Sequence, residues 1–177
     1  MVKSRSQRIC EVGRKIEVGR KIMDINNNNN NRINLVSAVE REKINRAVLK
    51  WVNACPDKPV SLINYEMLED DKPSMALSSI QGAYKVREYI LGGYLAQYQF
   101  KLVYRLQPNG SNDKRLKADE CLDSISQWLA DNLASLDIGD AVVRRLIINS
   151  ASSIFAAYQN GDEDYQCLMT LEYEVMN

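Results

Sequence analysis

The segment from Tyr94 to Leu106 constrains this chain more than any other. Tyr94, Ala96, Tyr98, Phe100, Leu102, Tyr104 and Leu106 occupy every second position, with Gln97, Gln99, Lys101 and Arg105 between them. Side chains of a strand point alternately to its two faces, so this spacing predicts one long β-strand with a buried aromatic face and a wet polar one. Gly92-Gly93, just before it, is a glycine pair of the kind a tight hairpin requires. Residues 84–91 are therefore expected as the partner strand, running straight into that turn.

Two segments carry the other period. From Leu35 to Asn53, Val36, Val39, Ile44, Val48, Trp51 and Val52 fall on one stripe, and Glu40, Arg41, Glu42 and Lys43 lie outside it. This is the pattern of a helix laid on a core, ended by Cys55-Pro56 because proline disfavours a helical predecessor. After Pro108-Asn109-Gly110, Asn112 or Asp113 is expected to cap a second helix, with Ala118, Leu122, Ile125, Leu129 and Leu133 on its buried face beside Cys121 and Trp128. Further strands are expected at 60–68, at 74–81 with a break at Gly82, and at 142–148. A last hairpin joins 154–158 to 165–175 across Asn160-Gly161. In its second strand Cys167, Met169, Leu171, Tyr173 and Val175 face one way, and Thr170, Glu172 and Glu174 the other. Hairpins dominate, so the fold class is α+β: a mainly antiparallel sheet flanked by two amphipathic helices.

The chain divides at about residue 32. Glu11-Val12-Gly13-Arg14-Lys15-Ile16 is copied at once as Glu17-Val18-Gly19-Arg20-Lys21-Ile22, and six asparagines follow at 26–31. Such a tract builds no packed core, so residues 1–32 are expected to be a disordered basic, Asn-rich extension, with Met23 an alternative start. Residues 33–177 form one domain. Of the 23 basic and 23 acidic side chains, eight and three lie in residues 1–32, which leaves the domain at −5. An acidic body argues against nucleic-acid binding over a broad basic surface.

Histidine is absent, which removes the commonest general base and metal ligand and the Ser-His and Cys-His nucleophile pairs. Carboxylate or lysine chemistry survives that exclusion. Cys10, Cys55, Cys121 and Cys167 lack the paired spacing of zinc or redox sites and are expected to be free, mostly buried thiols in a reducing cytosol. No apolar run is long enough to span a membrane, and the amino terminus lacks the apolar region of a secretory signal. Neither a GxxxxGK[ST] nor a GxGxxG loop occurs, nor a GxSxG elbow. Two acidic clusters remain, Glu69-Asp70-Asp71 and Asp162-Glu163-Asp164. Neither has calcium-loop spacing, and both are expected to be solvated loop charges. The stripe Tyr94, Tyr98, Phe100 and Tyr104 could stack bases, but Lys101 and Arg105 fall on the other face of the strand, which favours core packing. No catalytic, cofactor-binding or metal residue is assigned.

Several stretches together resemble a known family. They are residues 80–85 (IQGAYK), 90–94 (ILGGY), 98–105 (YQFKLVYR), Ser111-Asn112-Asp113 leading into the second helix, and 155–164 (FAAYQNGDED). They are similar to the minor capsid, or tail terminator, proteins of long-tailed bacteriophages and prophages, over about residues 33–177. The resemblance implies a structural protein rather than an enzyme, without cofactor: a ring, typically hexameric, that caps the tail tube, ends its polymerisation and offers the surface for head–tail joining. Its implied partners are other copies of itself, the major tail tube protein and the head–tail connector, and DNA only passes through. Its implied location is the virion, after synthesis in the host cytoplasm. The acidic body is expected to line that passage, with Asp162, Glu163 and Asp164 among the repelling charges. Alternatives are another neck ring, such as a head-completion or stopper protein, and a small carboxylate-dependent enzyme.

Overall fold

The computed structural model describes residues 34–70 and 73–176. The repeat and Asn tract of residues 1–32, with Cys10 and Met23, lie outside the described residues, as does Asp71. In chain order the elements are α1 (Ala38–Asn53), β1 (Ile63–Tyr65), β2 (Ser74–Glu88), β3 (Tyr94–Leu106), α2 (Asn112–Asp131), a 3₁₀ turn (Leu133–Ser135), β4 (Ala141–Ile148), β5 (Ser153–Ala157) and β6 (Glu163–Val175). The six strands form one mixed, mostly antiparallel sheet in the order β1-β2-β3-β6-β4, and β5 also pairs with β6. The α+β class follows directly.

β3 behaves as its alternation requires. It pairs with β6 without a register break from Tyr94↔Val175 to Leu106↔Glu163. Tyr98, Phe100 and Leu102 on β3 and Cys167, Met169, Leu171 and Tyr173 on β6 meet on one face and are fully buried. The rings of Tyr98 and Phe100 stack with centroids 5.6 Å apart, so the aromatic stripe is core. Both helices cover this face. α1 brings Ile44, Val48, Trp51 and Val52, and α2 brings Ala118, Leu122, Ile125 and Leu129 into the same cluster. The Trp51 indole N–H donates to the Asn132 carbonyl at the end of α2 (3.3 Å).

The two helix starts differ in detail from expectation. Leu35 is not helical; it makes an isolated bridge to Tyr84. Ser37 caps α1 instead, its hydroxyl accepting from the Glu40 N–H (3.2 Å). In a capping box Glu40 would reach back to the cap. Here its carboxylate accepts from the Tyr94 and Tyr173 hydroxyls, tying α1 to one end of the sheet. Ser111, rather than Asn112 or Asp113, caps α2.

β2 also departs from the sequence reading. The expected strands at 74–81 and 84–91 are one strand, bulged between Ser79 and Gly82 and again between Lys85 and Arg87. Gly82 lies at φ +68°, a conformation that suits glycine, and this bends the strand without ending it. The first expected strand shrinks to Ile63–Tyr65 and runs parallel to β2, because Glu66 turns to φ +57° and its carboxylate caps the Ser79 N–H (2.7 Å).

The far edge of β6 is shared. β4 pairs with its carboxyl-terminal half, Met169 to Val175, and β5 with Glu163 to Gln166. Between them Leu168 accepts from the Asn149 N–H (2.8 Å) and donates to the Ser150 hydroxyl (3.2 Å).

Two glycines make a controlled comparison. A Cβ on Gly93 would lie 2.5 Å from the Val175 carbonyl oxygen, whereas one on Gly110 would meet nothing within 4 Å; both have φ near +80°. Gly110→Ala is expected to cost about 1 kcal/mol, the left-handed conformation alone. Gly93→Ala is expected to cost roughly 2–4 kcal/mol, with the clash added. Urea unfolding of the two variants checks the difference.

Candidate assembly surfaces

The sheet face opposite the helices carries the polar side chains, and they are committed to one another. Arg105 on β3 clasps Asp164 with two hydrogen bonds (2.7 and 2.9 Å), the pair being 15% and 2% exposed. Tyr158 donates to the same carboxylate (2.9 Å), and its ring lies under the guanidinium. Arg145 on β4 holds Glu172 (2.5 Å), which also accepts from Gln97 (2.6 Å). Arg144 and Tyr89 share Glu174. On the helix side, Arg115 of α2 grips Glu163 (2.6 Å), and Tyr165 donates to it (2.7 Å).

These contacts correct the reading of the second acidic cluster. Asp162, Glu163 and Asp164 are 4%, 8% and 1% exposed. Asp162 is bound by Asn160 across the turn. β6 starts two residues earlier than expected, so Glu163 and Asp164 sit in the sheet, where unpaired charge is costly and arginines answer each one. They are buried rather than solvated loop charges, and Glu163 and Asp164 are each paired with an arginine. In the first cluster, Asp70 lies 3.4 Å from Arg105 at the surface, and Glu69 accepts from the Asn64 amide (3.2 Å).

The titrations follow the same geometry. Arginine hydrogen bonds hold the Glu163 and Glu172 carboxyls below their ordinary range, and Tyr89 with Arg144 does the same for Glu174. Burial pushes the Cys121 and Cys167 thiols up to about 11, and Cys55 upward as well. All three are free. Burial and then Glu40 raise the Tyr94 hydroxyl. Among the described residues no group of three or more Cys, Asp or Glu side chains is placed to hold a metal ion, and no helix is long and apolar enough to cross a membrane.

Apolar surface is concentrated elsewhere. At the β2–β3 connection the strand stops at Glu88, and the turn is Tyr89-Ile90-Leu91-Gly92, closed by Gly92 N–H to the Tyr89 carbonyl (3.1 Å). Gly92 and Gly93, at φ +91° and +82°, close the loop rather than form its tip. Ile90 and Leu91, expected in a strand, stand at the tip with 104% and 97% exposure. The signal was present: two positive-φ glycines after two aliphatics suit a five-residue loop as well as a two-residue one. The loop is pinned, since Tyr89 donates to Glu174 (2.5 Å) and Arg87 lies over its ring.

At the opposite end of β3 a cavity of about 410 Å³ opens between Tyr104 and Leu106, the first turns of α2, Pro59 and Pro73. Ala118 and Cys121 line its floor, and Lys114 and Lys117 stand at its mouth. A shallower depression on the bare sheet face is lined by Val103, Lys101, Arg105, Phe155 and Tyr158. Lys101 and Arg105 do fall opposite the core stripe, where β5 and its turn supply aromatic rings beneath them. Neither protein-family models nor curated proteins match this chain.

Asp164→Asn leaves Arg105 with only the exposed Asp70 as a charge partner and is expected to cost roughly 3 kcal/mol, read as a lower urea midpoint. Glu163, Glu172 and Glu174, with Glu88 lowered at the surface by Lys85, set the pH dependence. A carboxyl with a lowered folded pKa contributes stability above the ordinary value near 4.5, and loses it as pH falls through the folded value. The urea midpoint is therefore expected to be flat from pH 8 to about 5 and to drop below about pH 4.5.

Proposed function

We propose that this chain is a structural assembly protein, a tail-terminator-like ring that caps a phage tail tube, stops its growth and offers the surface for head–tail joining. The observation that carries the reading is the pinned tip with Ile90 and Leu91 almost wholly in solvent. A folded domain keeps a rigid pair of large aliphatic side chains in water at a cost, and a macromolecular partner recovers it. The residues that carry the family resemblance fall on β2 (80–85), on this tip (90–94), on β3 (98–105), at the start of α2 (111–113) and across the β5–β6 connection (155–164).

The chemistry points the same way. A general acid or base works best with a pKa near the operating pH, whereas Glu163, Glu172 and Glu174 are displaced downward into ion pairs. The cysteine thiols are displaced upward, away from the thiolate that attacks. The partners on this reading are other copies of the chain, the tube protein and a neck component, with DNA passing through the ring in the virion. The repulsion of DNA does not rest on Asp162, Glu163 or Asp164.

Full-length protein added to polymerised tail-tube protein is expected to occupy tube ends in negative-stain images and to halt subunit addition. Binding to portal rings in preference to tubes would assign it to the stopper side of the neck. Failure to bind either would overturn the assembly reading.

A further inference from the structure

The apolar tip and the apolar cavity belong to the same strand, at its two ends. β3 starts at Tyr94, beside the tip, and finishes at Leu106, in the cavity wall. Thirteen residues of strand place them about 40 Å apart, so one copy cannot fill its own cavity. We propose that the Ile90–Leu91 tip of one copy seats in the cavity between Pro59, Pro73, Leu106 and the first turns of α2 of the next copy. This rests on the ring reading above and names the contact that builds the ring.

Three features select a second copy as the occupant. The first is shape: two adjacent branched side chains project from a turn that Tyr89 and Gly93 hold in place, and a cavity of about 410 Å³ with apolar walls has room for both. The second is charge. Glu88 flanks the tip with its side chain 60% exposed, in a surface pair with Lys85 that holds it only weakly. Lys114 stands at the cavity mouth with no carboxylate partner among the described residues. Seating the tip brings these unlike charges together and keeps Arg87 on the Tyr89 ring.

The third is the state of the sheet edges, the other route by which such domains join. β2's outer edge is occupied by β1 and by Asn34–Val36, whose backbone bonds to Ala83 and Lys85. β4 is interrupted by a bulge between Val143 and Arg145 and carries two arginines. Both devices discourage edge-to-edge pairing. A tip-to-cavity contact joins unlike surfaces, so it propagates from copy to copy and closes when the rotation permits.

The test uses the full chain in two arms. Ile90→Ser/Leu91→Ser removes only exposed surface, so its circular dichroism and urea midpoint should match wild type while its self-association constant falls by about 100-fold or more, measured by sedimentation equilibrium. In the second arm Leu91→Cys, combined with Cys10→Ser, is oxidised with copper phenanthroline at pH 8.5. The copper takes two electrons as two thiols join. A disulfide between the introduced thiol and Cys121 of another copy, found by peptide mass and lost with Cys121→Ser, supports the contact. If wild type assembles and the double serine variant assembles equally, the tip is not the contact, and the ring is built elsewhere. Cross-links that bypass Cys121 overturn the contact in the same way. If wild type forms no oligomer even on tube ends, the ring reading fails with it.

Discussion

The unbroken pairing of β3 with β6 is the constraint on which the rest of this molecule depends. From Tyr94↔Val175 to Leu106↔Glu163 no residue is skipped, so every side chain on both strands has its face fixed. A slip of β6 by one residue would turn Met169 and Leu171 out to water and bring Thr170 and Glu172 into the core. The helices then have one apolar surface to cover, and both cover it. The same pairing fixes the reach of the sheet, which sets the hairpin tip and the cavity at opposite ends.

Placing β6 in the middle creates an electrostatic problem that the neighbours solve. Glu163, Asp164, Glu172 and Glu174 all lie on this strand, and like charges on one strand next to low-dielectric protein repel. Each is met by its own arginine, and the four come from three elements: Arg115 from α2, Arg105 from β3, and Arg145 and Arg144 from β4. The acids thus act as cross-ties. Glu40 does the same from α1 through two tyrosine hydroxyls, at the expense of the usual capping geometry.

Much of this was legible from residue spacing. The alternation in β3 and β6 and the stripes of both helices gave the layers, because period 2 and period 3.6 report which face is buried. What spacing does not report is where a strand stops. Ile90 and Leu91 read as strand because their composition is that of strand, and only the pinned five-residue loop shows them as a tip. Asp162-Glu163-Asp164 read as a solvated turn because the arginines that bury it lie 48 and 59 residues away in sequence. The cavity has no local signature: Pro59, Pro73, Tyr104 and Cys121 come together only when four elements pack. The candidate surface was therefore less visible than the fold that displays it.

The divided outer edge of β6 has a dynamic consequence. Because β4 guards one half of the strand and β5 the other, with the seam at Leu168, the β5 hairpin can lift away without disturbing the β4 pairing. Amide protons at the start of β6 that face β5 should then exchange with solvent through a smaller opening than those facing β4. The two halves of this edge thus have separate hydrogen-bond partners, and opening one does not require opening the other.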